Sequence, residues 1–310
     1  MQKRTLLVAQ MVLTMLCLAR AAQAQQQPDY DKVVIQTVQV SDGFYILVGA
    51  GGHIGVSVGS DGILLVDNQY TPLYGKIIEA LRKISSQPIR FVVNTHWHGD
   101  HIGGNEGMAK NGTVIVAHEN VRARLIRQRS NPNTDWRNPP MPDGTLPVMT
   151  YSSSMTLHFN GNDVDVIHFP TAHTDGDSIV YFRQANILHA GDLFAADRYS
   201  SFIVDNGGTV DGMIAAMEGI LKVAKPDTKI IPGHGVAPVT VKEVQAQRDA
   251  FVAIRDRVQT AIRAGQTLEQ IIASQPTAEF DARNKAGRPP EEFLTMVYAD
   301  LARKSAAGPK

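Results

Sequence analysis

Residues 94 to 105 read NTHWHGDHIGGN, so a chain with ten histidines places His96, His98 and His101, together with Asp100, inside six consecutive positions. Packing gives a surface loop no reason to concentrate imidazoles in this way. Neutral imidazole and carboxylate are, however, the side chains with which proteins hold zinc and similar cations for hydrolysis. Alternate spacing lets His96 and His98 converge on one cation while Asp100 and His101 aim at a second. Trp97 and Gly99 read as spacers, and Gly103 and Gly104 as points where the backbone turns tightly. Three later segments offer the same ligand types: His173 in PTAHTDGDS, Asp192 in ILHAGDLF and His234 in IIPGHGV. Seven ligands suit two divalent metal ions sharing a water, whose pKa would fall from about 15.7 toward neutrality and so supply hydroxide. Asp100 is then a ligand first and a proton shuttle second.

Ligands of this kind need buried elements to hold them, and each candidate follows an apolar run. IRFVVN at 89–94 precedes the histidine cluster, and strands at 163–168, 187–190 and 229–231 precede His173, Asp192 and His234. Upstream, short β-branched runs at 33–40, 44–48, 54–58 and 63–67 are separated by SDG, GAGGH and GSDG, which is turn chemistry and predicts a β-meander. A helix at 73–84, a strand at 113–117 and a helix at 119–128 follow. The Pro-rich stretch 131–147 reads as irregular, and strands at 155–159 and 178–182 and a helix at 213–224 come after it. Residues 241–304 read mostly as helices, broken around SQPTAEFDARNKAGRPP. Strands followed by helices in two successive halves predict an α/β fold in which two sheets pack together with helices outside.

The residues resemble those of the metallo-β-lactamase superfamily. The signature H-x-H-x-D-H stands here as His96-Trp97-His98-Gly99-Asp100-His101, and the later histidine, the Gly-Asp pair and the Gly-His pair follow in the family's order. The resemblance covers roughly residues 33 to 239 and implies a four-layer αββα sandwich with additional C-terminal helices. It implies a hydrolase domain over 25–240 and a helical extension over 241–310 packed on it. It further implies that His96, His98 and His173 hold the first metal, that Asp100, His101 and His234 hold the second, and that Asp192 bridges. Zinc is the first expectation, with iron or manganese also compatible with such ligands.

One departure narrows the resemblance. In the best-known zinc β-lactamases the position matching Asp192 is a cysteine and a substrate-binding lysine follows three residues later, where this chain has Ala195. A bridging aspartate resembles instead glyoxalase-type thioester hydrolases, homoserine-lactone hydrolases and other broad hydrolases. The reading is therefore a hydrolase for an amide, ester or lactone carbonyl in a small molecule, with β-lactams a subset and a glyoxalase II-like thioester hydrolase as alternative. A mononuclear iron persulfide dioxygenase of the same fold is the alternative from another class, disfavoured by the retention of all seven ligands. A metal-binding protein without turnover is a third.

Lys+Arg and Asp+Glu both number 30, so the net charge is zero and the basic footprint of a nucleic-acid binder is missing. Lys3 and Arg4, the apolar run after them and Ala22-Gln23-Ala24 describe a cleavable secretory signal over 1–24 and predict a periplasmic or secreted protein. Gln10 and Arg20 leave that run short of the roughly 20 residues of a membrane span, so no stable anchor is expected after cleavage. Cys17, the only cysteine, lies inside the signal, leaving no disulfide or thiolate ligand in the remainder. His118, His158, His168 and His189 lack partner motifs and read as hydrogen-bonded structure. His53, in GAGGHIG, is either part of a hairpin overhanging the site or part of a plain tight turn, and the 131–147 stretch with Trp136 and Arg137 either walls the pocket or covers a sheet edge.

Overall fold

The structure, a computed structural model, describes residues 27–129, 140–142 and 144–307; the signal at 1–24, Trp136 and Arg137 lie outside them. Of the described residues, 27–33 fall in one unit and those from 34 to 307 in another. Of the first, residues 27–33 contain a turn in which the Lys32 N–H donates to the Asp29 carbonyl. Everything below concerns the second.

The predicted meander is there: β1 (Gln36–Ser41), β2 (Phe44–Val48), β3 (Ile54–Gly59) and β4 (Gly62–Val66) pair antiparallel in order. After helix α1 (Tyr74–Ile84), β5 (Ile89–Val93) pairs parallel to β4. Two short helices, α2 (Gly99–Ile102) and α3 (Asn105–Lys110), lead to β6 (Val114–His118), helix α4 (Glu119–Arg129) and β7 (Met149–Tyr151), which complete a seven-stranded sheet among the described residues. Helices of four and six residues are too short to show periodicity, and a three-residue strand beside prolines carries no alternation, which is why α2, α3 and β7 are not legible in the sequence.

A second sheet contains β8 (Ser154–Phe159), β9 (Asn162–His168), β10 (Ser178–Phe182), β11 (Ile187–Gly191) and β12 (Lys229–Pro232), in the order β12-β11-β10-β9-β8. Asn160 and Gly161, both at positive φ, make the two-residue turn between β8 and β9. Helix α5 (Val210–Val223) carries the chain from β11 back to a parallel β12, and α6 (Val241–Arg263), α7 (Leu268–Ala273) and α8 (Pro290–Ala307) follow.

The sheets face each other. Phe44, Ile46, Leu64, Val66, Val93 and Val116 of the first share one apolar cluster with Val164, Val166, Val180, Phe182 and Ile187 of the second. The opposite face of the second sheet, with Ile179, Leu188 and Ile230, packs on Met213 and Met217 of α5, Phe251 and Ile254 of α6 and Phe293 and Val297 of α8. Each such fully buried side chain contributes roughly 1.5–3 kcal/mol. Strands β4, β10 and β11 are buried at every position, as strands covered on both faces must be. On the outer side of the first sheet, α3 and α4 lie against β6. The result is the expected α/β sandwich of two sheets with helices outside and additional C-terminal helices.

Candidate metal centre

All seven predicted ligands converge. His96 and His98 follow β5, Asp100 and His101 lie in α2, His173 follows β9, Asp192 follows β11 and His234 follows β12. Their ligand atoms form three overlapping groups: His96, His98 and His173; His96, His101 and Asp192; and Asp100, His101 and His234. In the first, His98 Nδ1 is 3.1 Å from His96 Nε2 and 2.9 Å from His173 Nε2. Asp192 spans the others, with Oδ2 3.5 Å from His173 Nε2 and 4.0 Å from His96 Nε2, and Oδ1 3.2 Å from His101 Nε2 and 3.4 Å from His234 Nε2. His234 Nε2 is also 3.2 Å from Asp100 Oδ2.

The protons of these rings are already committed on their far sides. His173 Nδ1 lies 2.7 Å from the Ser201 carbonyl, which can only accept, so that nitrogen carries the hydrogen and, in the neutral ring, Nε2 is the lone pair. Thr95 gives its hydroxyl proton to Asp67 Oδ2 at 2.7 Å and accepts from His96 Nδ1 at 3.1 Å, which bares His96 Nε2 as well. Two lone pairs then face His98 Nδ1, which holds at most one proton. Lone pairs crowded on one another in this way repel unless something fills the gap between them, and a divalent cation among His96 Nε2, His98 Nδ1, His173 Nε2 and Asp192 Oδ2 fits this donor set. His98 Nε2, on the far side of its ring from this group, is buried without a hydrogen-bond partner.

The electrostatics agree. Burial, helped by His173, pushes His98 down to about 3, and burial with the neighbouring His101 holds His96 well below the ordinary imidazole range, so both are neutral and ready to ligate. Burial opposes charge on His101 and His234 too, yet the Asp192 and Asp100 carboxylates outweigh it, holding His101 high and His234 at about 9. Those carboxylates stay ionised against their own burial because of the same two rings. In the metal-free protein, protons thus stand where positive charge is wanted, and metal binding would displace them.

Asp67 belongs to this centre although the sequence reading treats it only as the end of a strand. It is fully buried, with Oδ1 accepting from the Thr95 N–H at 2.8 Å and Oδ2 lying 2.8 Å from His101 Nδ1. The signal available was a carboxylate closing the otherwise apolar run ILLVD.

The packing bears on several other expectations. His53 is 3% exposed, bonds the Pro232 carbonyl through Nδ1 at 2.9 Å, and gives its N–H to the Gly233 carbonyl at 2.8 Å. It is a satisfied core histidine whose ring and backbone both bond across to the end of β12, and burial holds it at about 4. The glycine beside it matters more, since a Cβ at Gly52 would overlap the His101 ring. Trp97 is a packing residue, not a spacer, clustering with Ile102, Val121, Leu125, Met141 and the half-buried Leu146. Gly103 has ordinary helical φ, and its reason is close approach, because a Cβ there would meet Thr71 N and Gln69 O. His118 and His168 stack 3.6 Å apart, His158 pairs with Asp163 on the surface, and His189 donates to the His53 carbonyl, so none joins the centre.

Residues 33–234 match the family profile described as the metallo-beta-lactamase superfamily. The chain is 25% identical over 177 residues to a metallo-beta-lactamase type 2 of Bacillus sp. (strain 170), which covers 57% of this chain and 63% of that protein, less than two thirds of its length. The solved stereoselective inverting sec-alkylsulfatase of a Pseudomonas species superposes with a TM-score of 0.67 at 17% identity, covering 89% of this chain and 52% of that one. A metallo-beta-lactamase from Pontibacter korlensis superposes with a TM-score of 0.57 at 18% identity, covering 70% of this chain and 99% of that one.

Proposed function

From the premise that this chain belongs to the metallo-β-lactamase superfamily, we propose that it is an exported dinuclear-metal hydrolase acting on an amide, ester or lactone carbonyl of a small molecule. The observation that carries the reading is the pair of bare imidazole nitrogens, His96 Nε2 and His173 Nε2, both turned on His98 Nδ1 with their protons held elsewhere. Zinc is the first metal to test.

His96, His98 and His173 would hold one cation, Asp100, His101 and His234 the second, and Asp192 would face both. When bound, the cations supply Lewis-acid charge that polarises the scissile carbonyl and acidifies a water. The chain's own part is preorganisation: Thr95, Asp67 and the Ser201 carbonyl fix the tautomers of His96, His101 and His173, so no ring must reorient during turnover. Asp100 and His234 have side chains 21% and 23% exposed, against 13% for Asp192 and 0% for His101, so substrate would enter on their side. Asp100 would also pass a proton between that face and solvent.

A second reading, hydrolysis of an alkyl sulfate ester, rests on one observation. The alkylsulfatase fold superposes on 89% of the chain, whereas the β-lactamase superposes on 70%. The test is steady-state hydrolysis by zinc-reconstituted protein lacking residues 1–24, with a chromogenic cephalosporin, an acyl lactone, a thioester and a primary alkyl sulfate. The proposal expects turnover of a carbonyl substrate, abolished in His96→Ala and in Asp192→Ala. Turnover of the sulfate ester alone would replace it with the second reading, and oxygen uptake by an iron-loaded protein without hydrolysis would return the oxidoreductase.

A further inference from the structure

We infer that Gln247, on α6 and beyond the residues matched by the family profile, is a positioning residue for the metal centre, its side-chain amide fixing the loop 192–201 that aims His173, Asp192 and His234. The inference rests on the metal-centre reading above.

Gln247 is nearly buried, at 9% exposure. Its Nε2 donates to the carbonyls of Ala195 and Arg198, each at 2.9 Å, and its Oε1 accepts the Ser200 hydroxyl proton at 2.5 Å. Ser200 Oγ accepts in turn from the Ala195 N–H at 2.7 Å. One amide therefore closes residues 195–200 into a ring, and the direction of every bond in it is set, because carbonyls only accept and the amide nitrogen only donates.

That ring adjoins every ligand group. The Ala196 N–H donates to the His234 carbonyl at 2.9 Å, and the Phe194 carbonyl accepts from the N–H of Gly233, the residue before His234, at 3.0 Å. The Ser201 carbonyl takes the His173 Nδ1 proton at 2.7 Å. Asp192 begins the same loop. Each of the three ligand groups thus contains one residue held by, or belonging to, this segment. The C-terminal region also braces its middle, through Tyr199 stacked on Phe293 at 4.5 Å and the Ala286 N–H given to the Asp197 carbonyl at 3.1 Å. Gln247 differs from these contacts in reaching both ends of the loop.

An apolar side chain of similar length would fill the space yet leave two carbonyls without a donor and the Ser200 hydroxyl proton without an acceptor. The loop would turn to satisfy them, carrying the Ser201 carbonyl and the Ala196 amide with it. A glutamate would still accept from Ser200 but would face the two carbonyls with no donor.

The test uses the full chain loaded with cobalt(II), whose visible absorption reports ligand geometry, together with chelator competition for metal affinity and a melting temperature. Gln247→Leu and Gln247→Glu are expected to alter the cobalt spectrum and weaken metal binding about tenfold, the low end for partners of metal ligands. Gln245→Ala, exposed on the same helix, should match wild type. Unaltered spectra and affinities in both Gln247 variants, even with a lowered melting temperature, would overturn the inference, because Gln247 would then only pack. Should neither variant fold, Ser200→Ala, which removes one arm, carries the same test, and an unaltered spectrum and affinity there overturns the inference equally. Failure of the wild type to bind cobalt would instead sink the metal-centre reading itself.

Discussion

Asp67 Oδ2 lies 2.8 Å from His101 Nδ1 and 2.7 Å from Thr95 Oγ1, so one buried carboxylate sets the tautomer of one ligand directly and of another, His96, through a hydroxyl. Among the described residues, no other side chain is bonded toward members of the groups on both sides of Asp192 in this way. In Asp67→Asn one oxygen becomes an NH2 group, which must face either the Thr95 N–H or the donors on Oδ2. Metal affinity is expected to fall by about 10–100-fold. Chelator competition on the folded variant checks this, and an affinity equal to wild type would remove Asp67 from the centre.

Gly52 and Gly75 separate a glycine required by packing from one that is not. A Cβ at Gly52 would overlap the His101 ring, whereas one at Gly75, near the start of α1, meets nothing within 4 Å. Gly52→Ala is expected to cost about 1–3 kcal/mol through overpacking and to reduce turnover, since the ring it displaces is a proposed ligand. Gly75→Ala should leave turnover intact and raise stability by up to about 1 kcal/mol. Denaturant titration and turnover on both variants test the contrast, which fails if the two behave alike.

These residues also mark how far the sequence could be read. The seven converging side chains were legible because four of them sit within six positions and the others each follow an apolar run, in the order of the family's motifs. Asp67 was not, because its role depends on register: the parallel pairing of Val66 with Val93 brings the end of β4 beside Thr95. His53 and Gly52 were ambiguous for a related reason, since nothing local says that GAGGH folds back on the His101 ring. Gln247 carries no local signal at all. It is one polar residue on a helix rich in them, and only the docking of α6 against the second sheet gives it three partners in the 195–200 segment.

Stability should respond to acid through a histidine outside the group of seven. Burial, together with the His118 ring stacked on it at 3.6 Å, holds the His168 pKa below the ordinary 6.5, against the opposing pull of the Asp177 carbonyl, Asp175 and Glu119. A ring that protonates less readily folded than unfolded is charged first in the unfolded chain. Its stability contribution is therefore whole above about pH 6.5 and is lost as pH falls below that, levelling off under the folded pKa. His168→Asn, which keeps a nitrogen donor for the Asp177 carbonyl, should flatten that part of the profile. Denaturant titrations of both proteins in chelator between pH 7.5 and 5 would show it, and parallel profiles would refute it.

The two oxygens of Asp192 are not equivalent, and this predicts how metal is lost. Oδ1 is 3.2 and 3.4 Å from the nitrogens of His101 and His234, whereas Oδ2 is 3.5 and 4.0 Å from those of His173 and His96. Asp192→Asn replaces one oxygen by an amide nitrogen and removes the charge that both cations would share. The closer contacts on the second side mean that this side should loosen first. Equilibrium dialysis with zinc is expected to give two ions per wild-type chain. It should give one for His98→Ala, which empties the group of His96 and His173, and one for His234→Ala, which empties the group of Asp100 and His101. Asp192→Asn should keep one ion tightly and the second weakly, and adding His98→Ala to it should remove the tight one. A single variant that strips both ions at once would mean one cation shared by all seven side chains, and the division of the centre by Asp192 would be wrong.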